Sequence, residues 1–394
     1  MAATTPPLAQ QRERLYDVDW LRVLATLVVF VYHCWRPFDN MEPWHVKNNQ
    51  LTGALTVPMA IGGQFLMPLF FALSGISTRL ALGSHAVSRF LRRRLLRLGV
   101  PVVVLGWFVL APPQVYIEAV TAQGYHAPPF QGTFWQFLPH YFQGRYGRGG
   151  YFALIPIHLW YLFWLLIFTL LSLPLLHWLR GERGKRATAG AANFLVRPGA
   201  LLLLGLPMLL PEVLLPASGL FLSWREGGWA LGTHWIVFLI GFLLASDARL
   251  RPALQRQRWV ALGLAGLSLV PLAAWAPQMG DLAFGSQEYA LQWGLRTING
   301  WWWLMAILGF GSLHLNVSHP TLGLLGPAVL PFYILHQTVI VMLGYAMRDW
   351  PLGILPKYLL LVALAFAICT SLYEFLIRRH NRLRFLFGMN PVPP

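Results

Sequence analysis

The sequence predicts an all-α, polytopic membrane bundle, and two observations support that fold class. Of the 394 residues, 56% are hydrophobic and only 11% are charged, whereas soluble domains average about 25% charged residues. Apolar runs of roughly 17–25 residues, long enough to cross a bilayer, recur along the chain. A chain of this composition cannot cover itself with polar surface, so most of it is expected to face lipid.

Ten membrane spans of about this length can be placed, with approximate boundaries. They lie near 18–36, 55–80, 95–117, 152–178, 199–216, 229–246, 258–277, 291–313, 322–347 and 357–377. Proline and glycine interrupt several of them, which neighbouring helices can accommodate in a bundle. No internal repeat, coiled coil or soluble domain is evident, so a single domain is expected over residues 1–394.

The distribution of basic residues predicts the orientation of this bundle. With ten spans, 22 of the 30 Lys and Arg residues, Arg12 among them, fall on the side of the N-terminus and 7 on the other side, while Arg296 lies within a span. Cytoplasmic loops of membrane proteins collect Lys and Arg, so both termini are expected in the cytoplasm. Residues 1–15 and 378–394 then form cytoplasmic tails, and residues 118–151 form the longest extracytoplasmic loop.

The same bias explains the net charge of +16 and the pI near 10.5, so nucleic acid is not an expected partner. Cys34 and Cys369 both lie in apolar runs, and no disulfide framework is predicted. The first twenty residues lack a short apolar core followed by a small-residue cleavage site. The first span is therefore expected to be retained in the protein.

The first span carries ionisable residues that lipid disfavours. Arg22 and His33 are eleven residues apart, and eleven steps of about 100° return to nearly the same helix face with a rise of about 16–17 Å. Ionisable residues inside a membrane usually face the bundle interior or a wet cavity and mark a functional path. The alternative is that Arg22 extends to the interface and pairs with Asp19, with His33 at the opposite interface.

Arg22 and His33 form an R-x10-H pattern within "YDVDWLRVLATLVVFVYH". This pattern resembles the first helix of the membrane acyltransferase-3 family. Further segments resemble elements of that family in the same order along the chain: "FFALSG" (70–75), "RFLRRRLLRLGVP" (89–101), "HLWYL" (158–162) and "PFYILHQ" (331–337).

Narrower matches resemble one branch of the family, that of glucans biosynthesis protein C, which is linked to succinylation of osmoregulated periplasmic glucans. They are "WHV" (44–46), "FLIGFLLA" (238–245), "LYE" (372–374) and "LRFLFGMNPV" (383–392). Two departures leave the subfamily open. Gln337 follows His336 where some members differ, and the aromatic residue that often follows the glycine at 75 is missing.

The resemblance implies a multi-pass acyltransferase of the bacterial inner membrane. It would move an acyl group, succinyl or acetyl, from cytoplasmic acyl-CoA to a hydroxyl of a periplasmic glucan or another extracytoplasmic glycan. Histidine is the side chain best poised to take a proton near neutral pH, so His33 is the expected general base. Guanidinium groups suit the phosphates of CoA, so arginines near the cytoplasm are expected to bind the donor.

The candidate site residues fall into three groups. The catalytic candidates are His33, Arg22, Asp19, Glu374 and His336. The acyl-CoA candidates are Arg22, Arg92, Arg93, Arg97 and Ser74, and the acceptor candidates are Trp44, His45, His158 and Trp160. The chain has no H-E-x-x-H motif, Walker A motif or Rossmann glycine motif, so no metal and no permanently bound cofactor are predicted.

Two other functions remain open at this point. A transporter or exporter could use Arg22, His33, Arg296 and His336 as a substrate or proton path. An acyltransferase could also use a lipid or a small molecule as acceptor. The acyl group, the acceptor, the choice between direct transfer and an acyl-enzyme, and the oligomeric state do not follow from the sequence.

Overall fold

The computed structural model describes residues 14–82, 86–123, 125–216, 221–276 and 280–392. Parts of several predicted segments lie outside these residues. Residues 1–13 of the expected N-terminal tail, with Arg12, lie outside the described residues, as do Gly124 of the expected outer loop and the last two residues of the expected C-terminal tail.

Helices make up most of the described chain. The α-helices are α1 (Tyr16–Trp35), α2 (Thr56–Gly63), α3 (Leu66–Leu82), α4 (Val87–Arg94), α5 (Ala111–Thr121), α6 (Phe134–Phe137), α7 (Trp160–Arg180), α8 (Glu182–Leu195), α9 (Leu231–Leu244), α10 (Leu250–Trp275), α11 (Gln287–His314), α12 (Pro320–Met347), α13 (Ile354–Ser371) and α14 (Asn381–Leu386). π-Helical segments occupy Leu95–Gly99, Pro101–Leu110, Leu210–Leu214 and Leu372–Ile377. 3₁₀ segments occupy His140–Phe142, Ile157–Leu159, Ala200–Met208 and Phe221–Ser223.

A short hairpin is the one β-element with paired strands among the described residues. Strand β1 (Arg225–Glu226) pairs antiparallel with β2 (Trp229–Ala230). Gly227 and Gly228 form the turn with φ of 57° and 82°, a left-handed conformation that favours glycine and matches a two-residue hairpin loop. The hairpin directly precedes α9 and places its turn beside the cavity described below.

Seven helical stretches of the described chain are long and apolar enough to cross a membrane: Tyr16–Trp35, Thr56–Leu82, Val87–Thr121, Ile157–Arg180, Leu250–Trp275, Pro320–Met347 and Ile354–Ile377. An eighth follows if Glu182–Leu195 and Ala200–Leu214, bent by 118°, count as one span. The predicted span near 229–246 corresponds to the short apolar helix α9, and the one near 291–313 lies in α11. The predicted helical membrane protein is confirmed, while ten spans and cytoplasmic termini stay predictions.

Contacts between distant segments bring several arginine-rich helix ends together. The Tyr16 amide donates to Asn316 Oδ1 at 3.1 Å, and Trp20 Nε1 donates to the Val317 carbonyl at 3.2 Å. Arg251, at the start of α10, pairs with Asp17 at 2.9 Å. We call this the arginine-rich end of the bundle. The opposite end, where α1 and α5 finish and α7 begins, is called the loop end.

Helices α3 and α9 cross at glycines. A Cβ atom at Gly75 would overlap the Phe238 carbonyl, and one at Gly241 would overlap the Ala72 carbonyl. Small residues allow membrane helices to approach closely and to gain van der Waals contact. This crossing fixes α3, which carries Ser74 and Ser77, against the rest of the core.

Replacing Gly75 with valine should therefore destabilise the protein by at least about 2 kcal/mol, because overpacking at a backbone contact forces the helices apart. Gly263→Val on α10 is the matched control, since nothing lies within 4 Å of a Cβ built there. Thermal unfolding of the detergent-solubilised variants measures both. Equal melting temperatures for the two variants would show that the crossing does not constrain the fold.

Candidate active site

A cavity of about 660 Å³ opens at the loop end of the bundle. Its walls come from α1 and the segment after it, from α2 and α3, from residues 125–158, from the hairpin, and from α11 and α12. Polar and aromatic side chains share the lining, among them His33, Trp44, His45, Tyr125, Tyr146, His158, Trp160, Glu226, Arg296 and Tyr333. All four acceptor candidates and the expected base are thus brought to one cavity.

His33 ends a hydrogen-bonded chain that starts at a main-chain carbonyl. His336 Nδ1 lies 2.7 Å from the Tyr333 carbonyl oxygen, and His336 Nε2 lies 3.0 Å from His33 Nδ1. A carbonyl can only accept, so His336 carries its proton on Nδ1 and presents a lone pair on Nε2. His33 then donates from Nδ1 and keeps its own lone pair on Nε2. That nitrogen has no hydrogen-bond partner among the described residues, so it is available as a base.

His158 lines the same cavity but has both ring nitrogens occupied. Its Nε2 donates to the Ile334 carbonyl at 2.8 Å, which leaves Nδ1 to accept from Gln114 Nε2 at 3.3 Å. Gln114 is buried and also contacts Gln337 and Thr338. His158 therefore connects α12 to α5 and supports the part of the cavity wall that contains His336.

His45 forms a second imidazole pair, with a carboxylate. Its Nδ1 lies 2.7 Å from Glu118 Oε2, and both side chains are almost fully buried. Tyr146 donates to the same oxygen at 2.7 Å, and the His126 amide donates to the other oxygen at 2.6 Å. With Nδ1 held in this way, Nε2 is the nitrogen of His45 that remains for the cavity.

Two tyrosines of the segment between α5 and α7 stay protonated beside this pair. Burial and the nearby Glu118 carboxylate raise the pKa of Tyr146 well above its ordinary value. Burial, followed by Glu118, raises the pKa of Tyr125 to about 12. Both phenols are therefore hydrogen-bond donors throughout the physiological pH range, and the Tyr125 ring meets His45 edge-on at 5.2 Å.

Two lysines hold the segment that carries Trp44 and His45. Lys47 Nζ donates to Asp39 Oδ1 at 2.9 Å and to the Arg36 carbonyl at 2.9 Å. Lys357 on α13 is fully buried, and its Nζ donates to Asn48 Oδ1 and to the Arg348 carbonyl, each at 2.9 Å. The segment after α1 is therefore attached to a transmembrane helix as well as to itself.

The second polar cluster lies deeper, toward the arginine-rich end. Arg22 donates to the Leu73 carbonyl at 3.1 Å and to Ser77 Oγ on α3. Ser74 Oγ lies 2.6 Å from the Tyr161 hydroxyl, which is within electrostatic range of Arg22, Arg94 and Arg97. We call Arg22, Ser74, Arg94, Arg97 and Tyr161 the arginine cluster.

The structure separates the two ends of the predicted Arg22–His33 stripe. Arg22 packs on α3 and His33 on α12, and Arg22 is not among the residues that line the cavity. Two buried tyrosines fill the space between, with the Tyr161 and Tyr333 ring centroids 5.8 Å apart. Tyr333 in turn lies 5.6 Å from the His336 ring. Helix α1 thus contributes a residue to each of two polar sites, and Tyr161 and Tyr333 lie between the sites.

The remaining catalytic and donor candidates lie at the arginine-rich end. Asp19 pairs with Arg14 at 2.8 Å and with Arg22 at 3.7 Å. Glu374 pairs with Arg378 at 2.6 Å, one helical turn away, and lines no part of the cavity. Arg92 and Arg93 are exposed on α4. Their assigned roles stay predictions.

Sequence reasoning missed Glu118, Tyr146, Glu226 and the contact of Arg296 with the hairpin. Glu118 stands at the end of an apolar run, and a lone carboxylate in that position is a signal for a functional or paired group. Glu226 and Gly228 line the cavity, and Arg296 Nη2 donates to the Gly228 carbonyl at 2.7 Å. Glu212, buried beneath the hairpin, pairs with Arg225 at 2.9 Å. No residue pattern in the sequence joins these positions.

Comparison with known families agrees with this arrangement. The acyltransferase-3 family model, described as an acyltransferase domain, matches residues 15–374. The chain belongs to the acyltransferase-3 family. The match includes both clusters of this acyltransferase and supports a multi-pass membrane enzyme. Searches of curated proteins and of solved structures found no match, so the predicted glucan-succinylating branch of the family stays a prediction.

Glu226 makes the stability of the acyltransferase depend on pH. Burial raises its pKa from the ordinary value of 4.5 to about 7. The folded state then binds more protons than the unfolded state between these values, so stability falls as pH rises from about 4.5 to about 7. Because glutamine does not titrate, Glu226→Gln should remove this pH-dependent loss of stability. The melting-temperature gain of the variant should grow from pH 4.5 to 7 and stay constant above; a constant gain throughout would contradict the assignment.

Proposed function

We propose that this protein transfers an acyl group from cytoplasmic acyl-CoA to a hydroxyl of an extracytoplasmic glycan, in a bacterial inner membrane. The observation that carries the proposal is the free Nε2 of His33 in a cavity that opens at the loop end, above a separate cluster of arginines. Family membership supports the reaction type. His33 is available to take the proton of the acceptor, and the arginine cluster is available to bind an anionic donor.

In this mechanism His33 Nε2 takes the proton of the acceptor hydroxyl. The acceptor oxygen attacks the thioester carbonyl and forms the new C–O bond. Collapse of the tetrahedral intermediate breaks the C–S bond, and the imidazolium of His33 returns its proton to the CoA sulfur. His336 supports the step because its own Nδ1 is fixed on the Tyr333 carbonyl, which keeps the His33 lone pair on the cavity side.

The arginine cluster fits the donor. Guanidinium groups bind phosphate through paired, charge-assisted hydrogen bonds, and Arg22, Arg94 and Arg97 gather around one tyrosine hydroxyl. Arg92 and Arg93 on the exposed face of α4 extend the same positive surface. The thioester arm then has to pass Tyr161 and Tyr333 to reach His33, so the proposal requires these rings to move during the catalytic cycle.

The cavity suits a sugar acceptor. Trp44, Trp160 and Tyr125 offer flat aromatic surfaces, while His45, Glu226 and Arg296 offer hydrogen bonds from the same walls. Such a mixture of apolar faces and a few convergent polar groups is typical of small-molecule sites. A periplasmic glucan as acceptor with succinyl as the acyl group is the pair that the sequence resemblance favours, and a lipid or small-molecule acceptor is the alternative within the same reaction.

A transporter would use the same ionisable residues as a path. The acyltransferase proposal is preferred because His33, the arginine cluster and the family match all fit group transfer. Purified protein in liposomes with labelled succinyl-CoA or acetyl-CoA separates the two functions. Acceptor-dependent release of free CoA supports the enzyme, and movement of intact label across the membrane without CoA release supports the transporter.

His33→Ala should lower the turnover number at least about 100-fold, since a positioned base contributes about 10²–10⁴-fold. His140→Ala is the control, because His140 is exposed in the segment between α5 and α7 and contacts only Gln143 through its side chain among the described hydrogen bonds. CoA release by folded protein in liposomes measures both. Wild-type turnover in His33→Ala would remove this residue from the reaction.

Arg22→Ala should raise the Michaelis constant for acyl-CoA about tenfold, because a hydrogen bond to a charged group contributes about 1.5–3 kcal/mol. The Michaelis constant for the acceptor should change less than twofold. Arg183→Ala, an exposed arginine on α8, serves as the control for loss of a positive charge on this side. A larger effect on the acceptor constant would place Arg22 outside the donor site.

A further inference from the structure

A second concave surface lies at the sharp bend between α8 and the Ala200–Leu214 segment. The two helical stretches are bent by 118°, and Pro198 and Gly199 stand between them. Gly199 has a φ of 80°, in the left-handed region that favours glycine. A groove of about 630 Å³ is bordered by this bend and by α11, and it shares no lining residue with the cavity at His33. We call it the α8 groove.

The lining of the α8 groove is apolar except at one point. Leu203 and Leu206 on its floor are 53% and 48% exposed. Arg197 is the one charged side chain that lines the groove among the described residues. The other large side chains of the lining are Phe194, Leu202, Ile298 and Trp302. A ligand that matches this surface therefore has a long apolar part and a single negatively charged part.

Arg197 has a fixed main chain and an available side chain. Its carbonyl accepts from Gln257 Nε2 on α10 at 3.4 Å. Its guanidinium is exposed and lies 5.9 Å from the Phe194 ring, with no ion pair or side-chain hydrogen bond among the described residues. A guanidinium in this state can bind a phosphate through two parallel hydrogen bonds.

The groove lies toward the arginine-rich end of the bundle. Arg249 donates to Asn193 Oδ1 on α8 at 2.6 Å, and Arg251, two residues further along, belongs to that end. Arg183 and Arg186 are exposed on α8 and add positive charge beside the groove. A basic amphipathic helix of this kind is typical of the membrane–water interface, where it attracts anionic lipids.

The wall of the groove is held in place by contacts within this chain. Trp301 Nε1 donates to the Leu201 carbonyl at 2.9 Å, and a Cβ atom at Gly205 would overlap the Trp301 ring. The 3₁₀ segment is therefore packed on α11 without a partner protein. Because lipid tails are as apolar as leucine, an apolar surface in a membrane has no hydrophobic driving force to bind a second protein. A lipid chain is the occupant that this lining favours.

We propose that the α8 groove binds one anionic glycerophospholipid, with an acyl chain along Leu203, Leu206 and Trp302 and the phosphate on the guanidinium of Arg197. Basic pockets between membrane helices bind anionic head groups in this way, and the volume of the groove lies within the range of small-molecule sites. The bound lipid supports the segment that leads to Glu212 beneath the hairpin. This site is independent of the proposed acyl transfer.

The first measurement locates the lipid. Delipidated full-length protein in detergent is mixed with phosphatidylglycerol that carries a photoactivatable diazirine in one acyl chain, and the labelled peptides are identified by mass spectrometry. We expect labelling concentrated at residues 194–206 and 298–302. Leu203→Trp, which fills the groove, should lower this labelling severalfold. Leu210→Trp is the matched control, because Leu210 is 49% exposed and lies outside the groove. Labelling that Leu203→Trp leaves unchanged would overturn the proposal.

The second measurement is the dissociation constant of the first bound lipid, obtained by native mass spectrometry. Phosphatidylglycerol should bind at least about fivefold more tightly than phosphatidylcholine with the same chains, as expected for one basic residue near an anionic head group. Arg197→Gln should abolish this preference, and Arg183→Gln, outside the groove, should keep it.

Three results of this measurement would overturn the proposal. Equal affinity of the wild type for the two lipids would show that Arg197 does not bind the head group. Displacement of the lipid by inorganic phosphate at the same concentration would indicate a site for the free anion. A dimer that Leu203→Trp dissociates would make the groove a contact between two copies of the chain.

Discussion

The site depends on the main-chain carbonyl of Tyr333, which fixes the proton of His336 and, through it, the lone pair of His33. In an apolar bundle a polar group without a partner is costly, so the partners of each imidazole matter for which of its nitrogens is open. His158 shows the same rule, since both of its ring nitrogens are bound. Nε2 of His33 and Nε2 of His45 have no hydrogen-bond partner among the described residues, and both rings line the cavity, so these two nitrogens are open to a substrate.

The sequence alone predicted the class of fold and much of one wall of the site. Low charge content and long apolar runs identified a helical membrane protein, and the R-x10-H pattern drew attention to Arg22 and His33 on α1, which lie in the two polar clusters of the structure. Trp44, His45, His158 and Trp160 were expected near an acceptor, and all four line the cavity. These residues were accessible to prediction because they lie in short local patterns.

Other features depend on contacts that a sequence does not display. Glu118 meets His45 across 73 positions, and His336 meets His33 across 303. Helical periodicity correctly put Arg22 and His33 on one helix. It could not reveal that Arg22 contacts α3 while His33 contacts α12, or that two tyrosines lie between them. Hydropathy was also ambiguous for α11, which carries Glu288 and Arg296 along a largely apolar helix, so apolar length alone does not define the number of spans.

Lys357 has a consequence for how the mouth of the cavity can move. Its ammonium group has no contact with solvent and holds Asn48, Asn49 and the Arg348 carbonyl together. Peeling that segment away would break the hydrogen bonds that the Lys357 ammonium donates to Asn48 and Asn49. The side of the mouth formed by Trp44 and His45 is thus mechanically part of the transmembrane scaffold. Widening to admit a bulky chain then falls to the facing side, where a two-glycine turn and the tyrosine-bearing segment border the opening.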